Sequence, residues 1–598
     1  MFTRIVSLEV DSPATTIVMV SDGPIPFPQI IVRDPHGREW ISSGDAIRTE
    51  DPTRYEVKLD QEKLAPGAYR IQGEGCTKAN LAEAGGGDWI KAFAEFTMEL
   101  PKKERTRRKN KSTSPIRIYF GIHKHMHQPY YDTVNPAAWD GEKDSIFATR
   151  AGAYKDYLAD AIERYVQGGL PHAGISTSWS GSLIEQLDRC EREGLCGGQF
   201  AGWKDRFRAI LSEKTRPDGR GAAGQGHARL RFTAFGFFHP LMPLIPERDI
   251  IDQILRHRDL VEQAFGVPAS RILFPPETAF HVRMIPALKQ AGIEAVIYDS
   301  VHRSRACRNY PYPGKEEGML PPNPSEQVND PVDDWCALQH VWAPSKISPS
   351  LLKPEYVGYT DPDGTEHTII AIPAERYLGN EDARGGFGAL QYPSLFEQLH
   401  REVEASGSYD LKHPPFFLLH SDGDNYGGGT DSYYRHNTEQ LVAWLNEDPR
   451  FELIGIEDYL DQFPPDPDKV VHIEPGSWAG ADNGDPQFMK WFSRYREPSS
   501  PDLHSWAVLT SFQNAVHSLL DAGINTAAVQ EAERLMLLAE TSCYWYWTGQ
   551  AVWDAQVTHA ANHGWNLLQG ELEQLQKKGD TTGPTIFPAW VLPENPGG

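Results

Sequence analysis

The sequence predicts an α/β protein, in which a β/α barrel follows a small β-sandwich-like domain and precedes a bundle of helices. Three patterns carry that reading. Over residues 1–100, short β-runs are separated by Pro, Gly and Asp turns. Over residues 115–465, strand-like runs alternate with amphipathic helical stretches, the order that builds β/α units. Residues 466–598 turn helical and lose the strand signal, so that the basic stretch 101–114 is left as a linker.

Each element has a local reason. Thr16-Ile17-Val18-Met19-Val20, Gln29-Ile30-Ile31-Val32 and Tyr55-Glu56-Val57-Lys58-Leu59 are strand-length runs rich in β-branched residues. No Trp cluster stands out among them, which favours a packing role over glycan binding. Lys102 to Lys111 reads as solvated linker in so acidic a chain. Tyr154 to Gln167 and Ile250 to Phe265 repeat apolar residues at helical spacing. The Pro-rich stretch from Tyr310 to Pro349, with Trp335 and Trp342, has little periodicity and reads as an insertion shaping a cleft. Ser505 to Ala522 and Ala527 to Ala539 read as helices, followed by the aromatic run Tyr544-Trp545-Tyr546-Trp547 and Trp553.

The chemistry concentrates at strand ends. In Leu273-Phe274-Pro275-Pro276-Glu277-Thr278-Ala279-Phe280, two prolines stop an apolar run and deliver Glu277 where parallel α/β folds collect catalytic groups. Phe416-Phe417-Leu418-Leu419-His420-Ser421-Asp422-Gly423-Asp424 repeats the design, carrying acids into the Gly-rich Asn425-Tyr426-Gly427-Gly428-Gly429. Two carboxylates on different strands suit glycosidic bond cleavage, one acting at the anomeric centre and the other protonating the leaving oxygen. A third run, Ile116 to Ile122, leads into His123-Lys124-His125-Met126-His127-Gln128-Pro129, where alternation sets three histidines on one face.

His125 to Pro129 resembles the His-x-His-Gln-Pro signature of glycoside hydrolase family 57, the retaining α-glucan-active enzymes. Four further segments follow in that family's order: Gly181 to Leu187, Phe238-His239-Pro240 to Leu244, Phe274 to Phe280, and Ser421 to Asp424. The resemblance covers roughly residues 115–465 and implies an incomplete (β/α)7 barrel. It further implies that Glu277 is the nucleophile and Asp422 the general acid/base. His125, His127, His239, Trp478 and Trp491 are its expected substrate-binding residues, with Trp478 and Trp491 in Trp-bearing segments of the helical domain; Trp179 and Asp424 depart from the family pattern, Trp179 as a further expected substrate-binding residue and Asp424 as one that positions the substrate or supports its neighbours. Asp424 stands where many members carry Glu, so the acid/base role is carried to Asp422 alone.

The expected reaction is retaining hydrolysis of α-1,4 bonds, with α-1,6 bonds as a wider option, in starch, glycogen or maltodextrin. A 4-α-glucanotransferase or branching activity is the alternative within the family, with α-galactosidase further off. Outside it stand a metal-dependent deacetylase, with His123, His125 and His127 among its zinc ligands, and a catalytically silent glycan-binding protein. No cofactor and no catalytic metal are expected. The 598 residues, 40% hydrophobic and 11% aromatic, exceed one ordinary core and predict several folded domains. A formal charge of −24 argues against nucleic acid and anionic membrane as partners. No run is long enough to span a membrane and the start at Met1 lacks a secretion signal, so a cytoplasmic protein is expected. Its six cysteines, none in a C-x-x-C pair, are expected as reduced thiols.

Overall fold

The computed structural model describes residues 3–11, 16–33, 39–43, 47–59, 67–76, 89–98, 115–216, 226–308, 321–339, 346–383, 388–424, 438–479, 488–492, 501–546 and 551–584. The linker 101–114, the loop 425–429, Trp342 and Trp547 lie outside the described residues. Two compact units emerge, residues 1–113 with 390–392, and residues 114–389 with 393–598.

The strands of the first unit are Ile5–Val10 (β1), Thr16–Ser21 (β2), Phe27–Arg33 (β3), Glu39–Ser43 (β4), Arg54–Lys58 (β5), Gly67–Cys76 (β6) and Trp89–Met98 (β7). They form two antiparallel sheets, ordered β1-β2-β5 and β4-β3-β6-β7. Every second residue points inward, so Ile17 and Met19 of β2 meet Ile30 and Val32 of β3 and Tyr69 and Ile71 of β6 in one buried cluster.

In the second unit the strands are Ile118–Met126 (β8), Ile175–Trp179 (β9), Leu230–Phe232 (β10), Ile272–Leu273 (β11), Ala295–Asp299 (β12), Cys336–Ala337 (β13), Lys346–Ile347 (β14), Glu355–Thr360 (β15), Glu366–Ala374 (β16), Phe416–Asp422 (β17), Phe451–Leu453 (β18) and Val470–Val471 (β19). The main path, β10-β9-β8-β17-β16-β12-β11, is parallel at every step. Beyond β10 and β11 the chain closes on itself: Ala234 bridges Leu273, with Ala234 N donating to Ile272 O at 2.9 Å and Phe274 N to Ala234 O at 3.0 Å. Helices Tyr157–Gln167, Gly181–Glu193 and Glu247–Phe265 occur between these strands, giving a mixed α/β fold. β15 lies antiparallel on β16, and β18 extends β8 at its start.

β8 to β12 are buried along their length, β8 at all nine positions, because a parallel sheet under helices meets no water on either face. β8 also runs four residues beyond the run read from the sequence, taking His123 and His125 into the ladder. β11 is only two residues long, since Pro275 and Pro276 cannot donate to a neighbour. The C-terminal helices Pro501–Asp521, Ala527–Ala539, Gln556–Leu567 and Gln569–Lys578 share an apolar core with Phe237 and Phe238, so they pack into the same unit as the parallel strands. No disulfide joins any two of the six cysteines. Among the described residues no helix is long and apolar enough to cross a membrane.

Candidate active site

The site is built where β8, β9, β11 and β17 end. Parallel pairing puts His125 of β8 opposite Ser178 of β9 on one side and Asp422 of β17 on the other. Alternation then sets His127 beside Ser180, two residues further on. The contacts follow that register: His125 Nδ1 lies 2.8 Å from Ser178 Oγ, and His127 Nδ1 2.8 Å from Ser180 Oγ. A third pair completes the set, His239 Nδ1 at 2.8 Å from Ser542 Oγ. The second nitrogens come together, with His125 Nε2 and His239 Nε2 3.0 Å apart and the rings of His127 and His239 stacked at 3.9 Å. Burial drives all three imidazoles down, His239 to about 3, so they are neutral at pH 7 and each can both give and take a hydrogen bond.

Glu277 stands on a strained turn. Its φ is +60° and that of Thr278 is +52°, left-handed values that cost side-chain-bearing residues roughly 1–3 kcal/mol each. The turn is pinned from afar: Phe280 N donates to Gly476 O at 2.9 Å, Gly476 N to Phe280 O at 3.0 Å, and Trp478 N to Glu277 O at 3.0 Å. The same Trp478 donates its indole Nε1 to Glu277 Oε2 at 2.7 Å. His239 shares the left-handed backbone, at φ +62°, so the strain gathers around one spot.

Asp422 ends β17, half-buried, and Asp424 follows it fully inside. Asp424 Oδ2 accepts from Tyr154 Oη at 2.6 Å and from His127 N at 3.2 Å, while its backbone oxygen accepts from Arg150 Nε at 2.8 Å. Those bonds tie the end of β17 to the His127 segment.

Electrostatics join the acids. Burial, helped by the Asp422 charge, raises the Glu277 carboxyl to about 7 against the Trp478 and Ser542 bonds and Lys490, which pull it down. Asp424 rises to about 7, mainly by burial and despite the Tyr154 bond, with Asp422 again adding to it. Tyr546, half-buried, is lifted to about 12 by burial and by both Glu277 and Asp422. The Asp422 charge thus acts on both Glu277 and Asp424.

Two expected residues fall elsewhere. Trp179 is inaccessible (0%), its ring 5.6 Å from Trp203 and in contact with Phe207 and Phe265, because in β9 the serines face the histidines and the residue between them faces the helices. Trp491 is also inaccessible (0%), packed in the core with Trp506 and Trp545. Neither ring is exposed, whereas Trp478 is, at 39%. The zinc-ligand set of His123, His125 and His127 does not converge either: His123 Nδ1 bonds His420 Nδ1 at 2.9 Å and its Nε2 lies 3.3 Å from Thr233 Oγ1, one layer deeper.

Sequence reasoning missed Ser178, Ser542, Cys543, Tyr154 and Tyr546. The alternation Ser176, Ser178, Ser180 was the available signal for the first. The others come from segments distant in the chain, and no local pattern marks them.

Residues 120–321 match the family described as Glycosyl hydrolase family 57. An alpha-amylase of Niallia circulans is 24% identical over 460 residues, covering 69% of this chain and 33% of its own length. An alpha-amylase of Pyrococcus horikoshii is 23% identical over 187 residues, 31% of this chain and 23% of that one. The chain thus spans a third or less of the length of these curated relatives. A branching-enzyme structure from Thermococcus kodakaraensis, solved with glucose, superposes with a TM-score of 0.51 at 13% identity, over 77% of this chain and 92% of that one, a likeness of fold.

Proposed function

We propose, on the premise that the chain belongs to glycosyl hydrolase family 57, that it is a retaining glycoside hydrolase acting on α-1,4 bonds of an α-glucan. The observation that carries this reading is the meeting of two strand-end carboxylates, Glu277 and the Asp422 whose charge acts on it, beside neutral histidines and a half-exposed Trp478. The parallel strand ring is read as the incomplete (β/α)7 barrel of the family.

In the first step ionised Glu277 attacks the anomeric carbon as Asp422 gives its proton to the leaving glucosyl oxygen. The product is a covalent glycosyl-enzyme. Asp422, now a carboxylate, takes a proton from water as the oxygen of that water attacks, and the Glu277 ester bond breaks. The Trp478 indole N–H fixes one Glu277 oxygen, and its exposed face suits the apolar side of a pyranose ring. His125, His127 and His239 offer nitrogens to sugar hydroxyls. Asp424, bonded to Tyr154 and His127 N, positions the Asp422 loop.

Water and a sugar hydroxyl can both intercept the same intermediate, so a 4-α-glucanotransferase or branching reaction begins identically. Maltoheptaose and pullulan, each incubated with the protein and resolved by product length, separate these outcomes. Shorter products alone mean hydrolysis, products longer than the input mean transfer, and pullulan cleavage adds α-1,6 bonds or action beside them. Glu277→Gln and Asp422→Asn, folded by circular dichroism, are expected to lose nearly all turnover. Retained activity in either variant would overturn its role.

A further inference from the structure

We propose that His127, His239 and Cys543 form a binding site for one thiophilic divalent cation, Zn2+ by its ligand chemistry, beside the proposed nucleophile. One ligand atom from each residue lies within 4.8 Å of the other two. Cys543 Sγ is 3.4 Å from His127 Nε2, close to the spacing of two donors around an ion with Zn–N about 2.0–2.1 Å and Zn–S about 2.3 Å.

The surroundings orient these donors. Ser180 and Ser542 hold the Nδ1 of His127 and His239 at 2.8 Å, which leaves each Nε2 as the inward nitrogen. Held outer nitrogens are what metal-binding histidines require, since the outer bond fixes tautomer and ring direction. His239 Nε2 is also 3.0 Å from His125 Nε2, so binding either gives up that contact or draws in His125 as a fourth donor. Cys543 is the half-exposed cysteine, whereas Cys76, Cys190, Cys196, Cys307 and Cys336 are buried. Three protein donors of N, N and S type select a soft or borderline ion over Mg2+ or Ca2+.

On binding, the Cys543 S–H bond breaks, its proton leaves to solvent, and the sulfur lone pair forms the new bond to the metal. The ion has no step in the reaction proposed above. It fills the space next to Glu277 that a sugar needs, so micromolar Zn2+ is expected to inhibit turnover. That consequence rests on the hydrolase reading, whereas the site itself does not.

Binding is therefore tested without activity. Reduced, chelator-stripped full-length protein is titrated with Co2+ under anaerobic, thiol-free conditions. One equivalent giving a thiolate-to-cobalt absorption band is expected, lost in Cys543→Ser, with affinity weakened by about tenfold or more in Ser180→Ala. No such band, or a band that survives Cys543→Ser, would overturn the site. Should Cys543→Ser not fold, the wild-type chain decides: Zn2+ is expected to protect Cys543 from iodoacetamide in peptide mapping, and equal labelling with and without Zn2+ refutes it. If the site binds but Zn2+ leaves turnover unchanged, the site stands and its overlap with the sugar position is wrong.

Discussion

Replacing Trp478 by Phe tests how Glu277 is kept ionisable. The indole N–H donates to Glu277 Oε2 at 2.7 Å, and phenylalanine deletes that donor while keeping an aromatic face. A hydrogen bond to a charged group contributes about 1.5–3 kcal/mol. Trp478 is 39% exposed, so water replaces part of the loss and the lower end applies. At about 1.4 kcal/mol per tenfold in proton affinity, the Glu277 carboxyl rises by about one pH unit from its present position near 7. The proposed nucleophile works ionised, so on that reading the acid limb of the kcat/KM profile on a maltooligosaccharide moves upward by the same amount. Turnover on the alkaline side of that limb changes far less. A limb that stays in place while activity falls evenly across pH would refute both the hydrogen bond's electrostatic role and Glu277 as the group that must be ionised.

The same carboxyl makes stability depend on pH: unfolded it loses its proton near 4.5 and folded near 7, so the native state binds more protons over that window and stability falls as pH rises through it. Glu277→Gln, which has no such proton to lose, is expected to unfold later than the wild type at pH 8, by at most about 3 kcal/mol, with the gap closing by pH 4. Tyr154→Phe removes the 2.6 Å bond to buried Asp424 and is expected to cost about 1–3 kcal/mol in urea unfolding, with a fall in kcat/KM as the end of β17 loosens. Arg303 and Glu355 form a pair exposed by only 6% each, joined at 2.9 Å. Arg303→Met is expected to cost at most about 3–5 kcal/mol, since it leaves the buried carboxylate only Lys469 at 3.8 Å, and adding Glu355→Leu to recover most of it.

The parts of the site that were legible are those that sequence-local physics decides. Pro275 and Pro276 end β11 before Glu277 because a proline has no donor for the ladder, and Gly423 with its flanking acids ends β17. Trp179 was misjudged for a reason also present in the chain, since strand period two puts it opposite Ser178 and Ser180 and so opposite the histidines. Trp491 could not be placed from sequence, as a short 3-10 turn at Met489–Phe492 gives no repeat from which to tell a face. The pairing of Ser542 with His239 spans 303 residues and that of Cys543 with His127 spans 416, distances over which one sequence carries no signal. The helix Ala527–Ala539, by contrast, was read at its boundaries from its apolar spacing, and Thr526 caps it.

The turn that holds Glu277 is fastened by residues synthesised long after it. Trp478 follows Glu277 by 201 positions, and Ser542 lies later still. At about 5–20 residues per second on a ribosome, roughly 10–40 s pass between the making of the carboxylate and the arrival of its indole partner. During that interval no partner fixes the left-handed backbone at Glu277 and Thr278, whose cost favours ordinary conformations. The nascent chain therefore lacks the Trp478 hold on Glu277 until that later segment has folded back, even where the parallel strands assemble early.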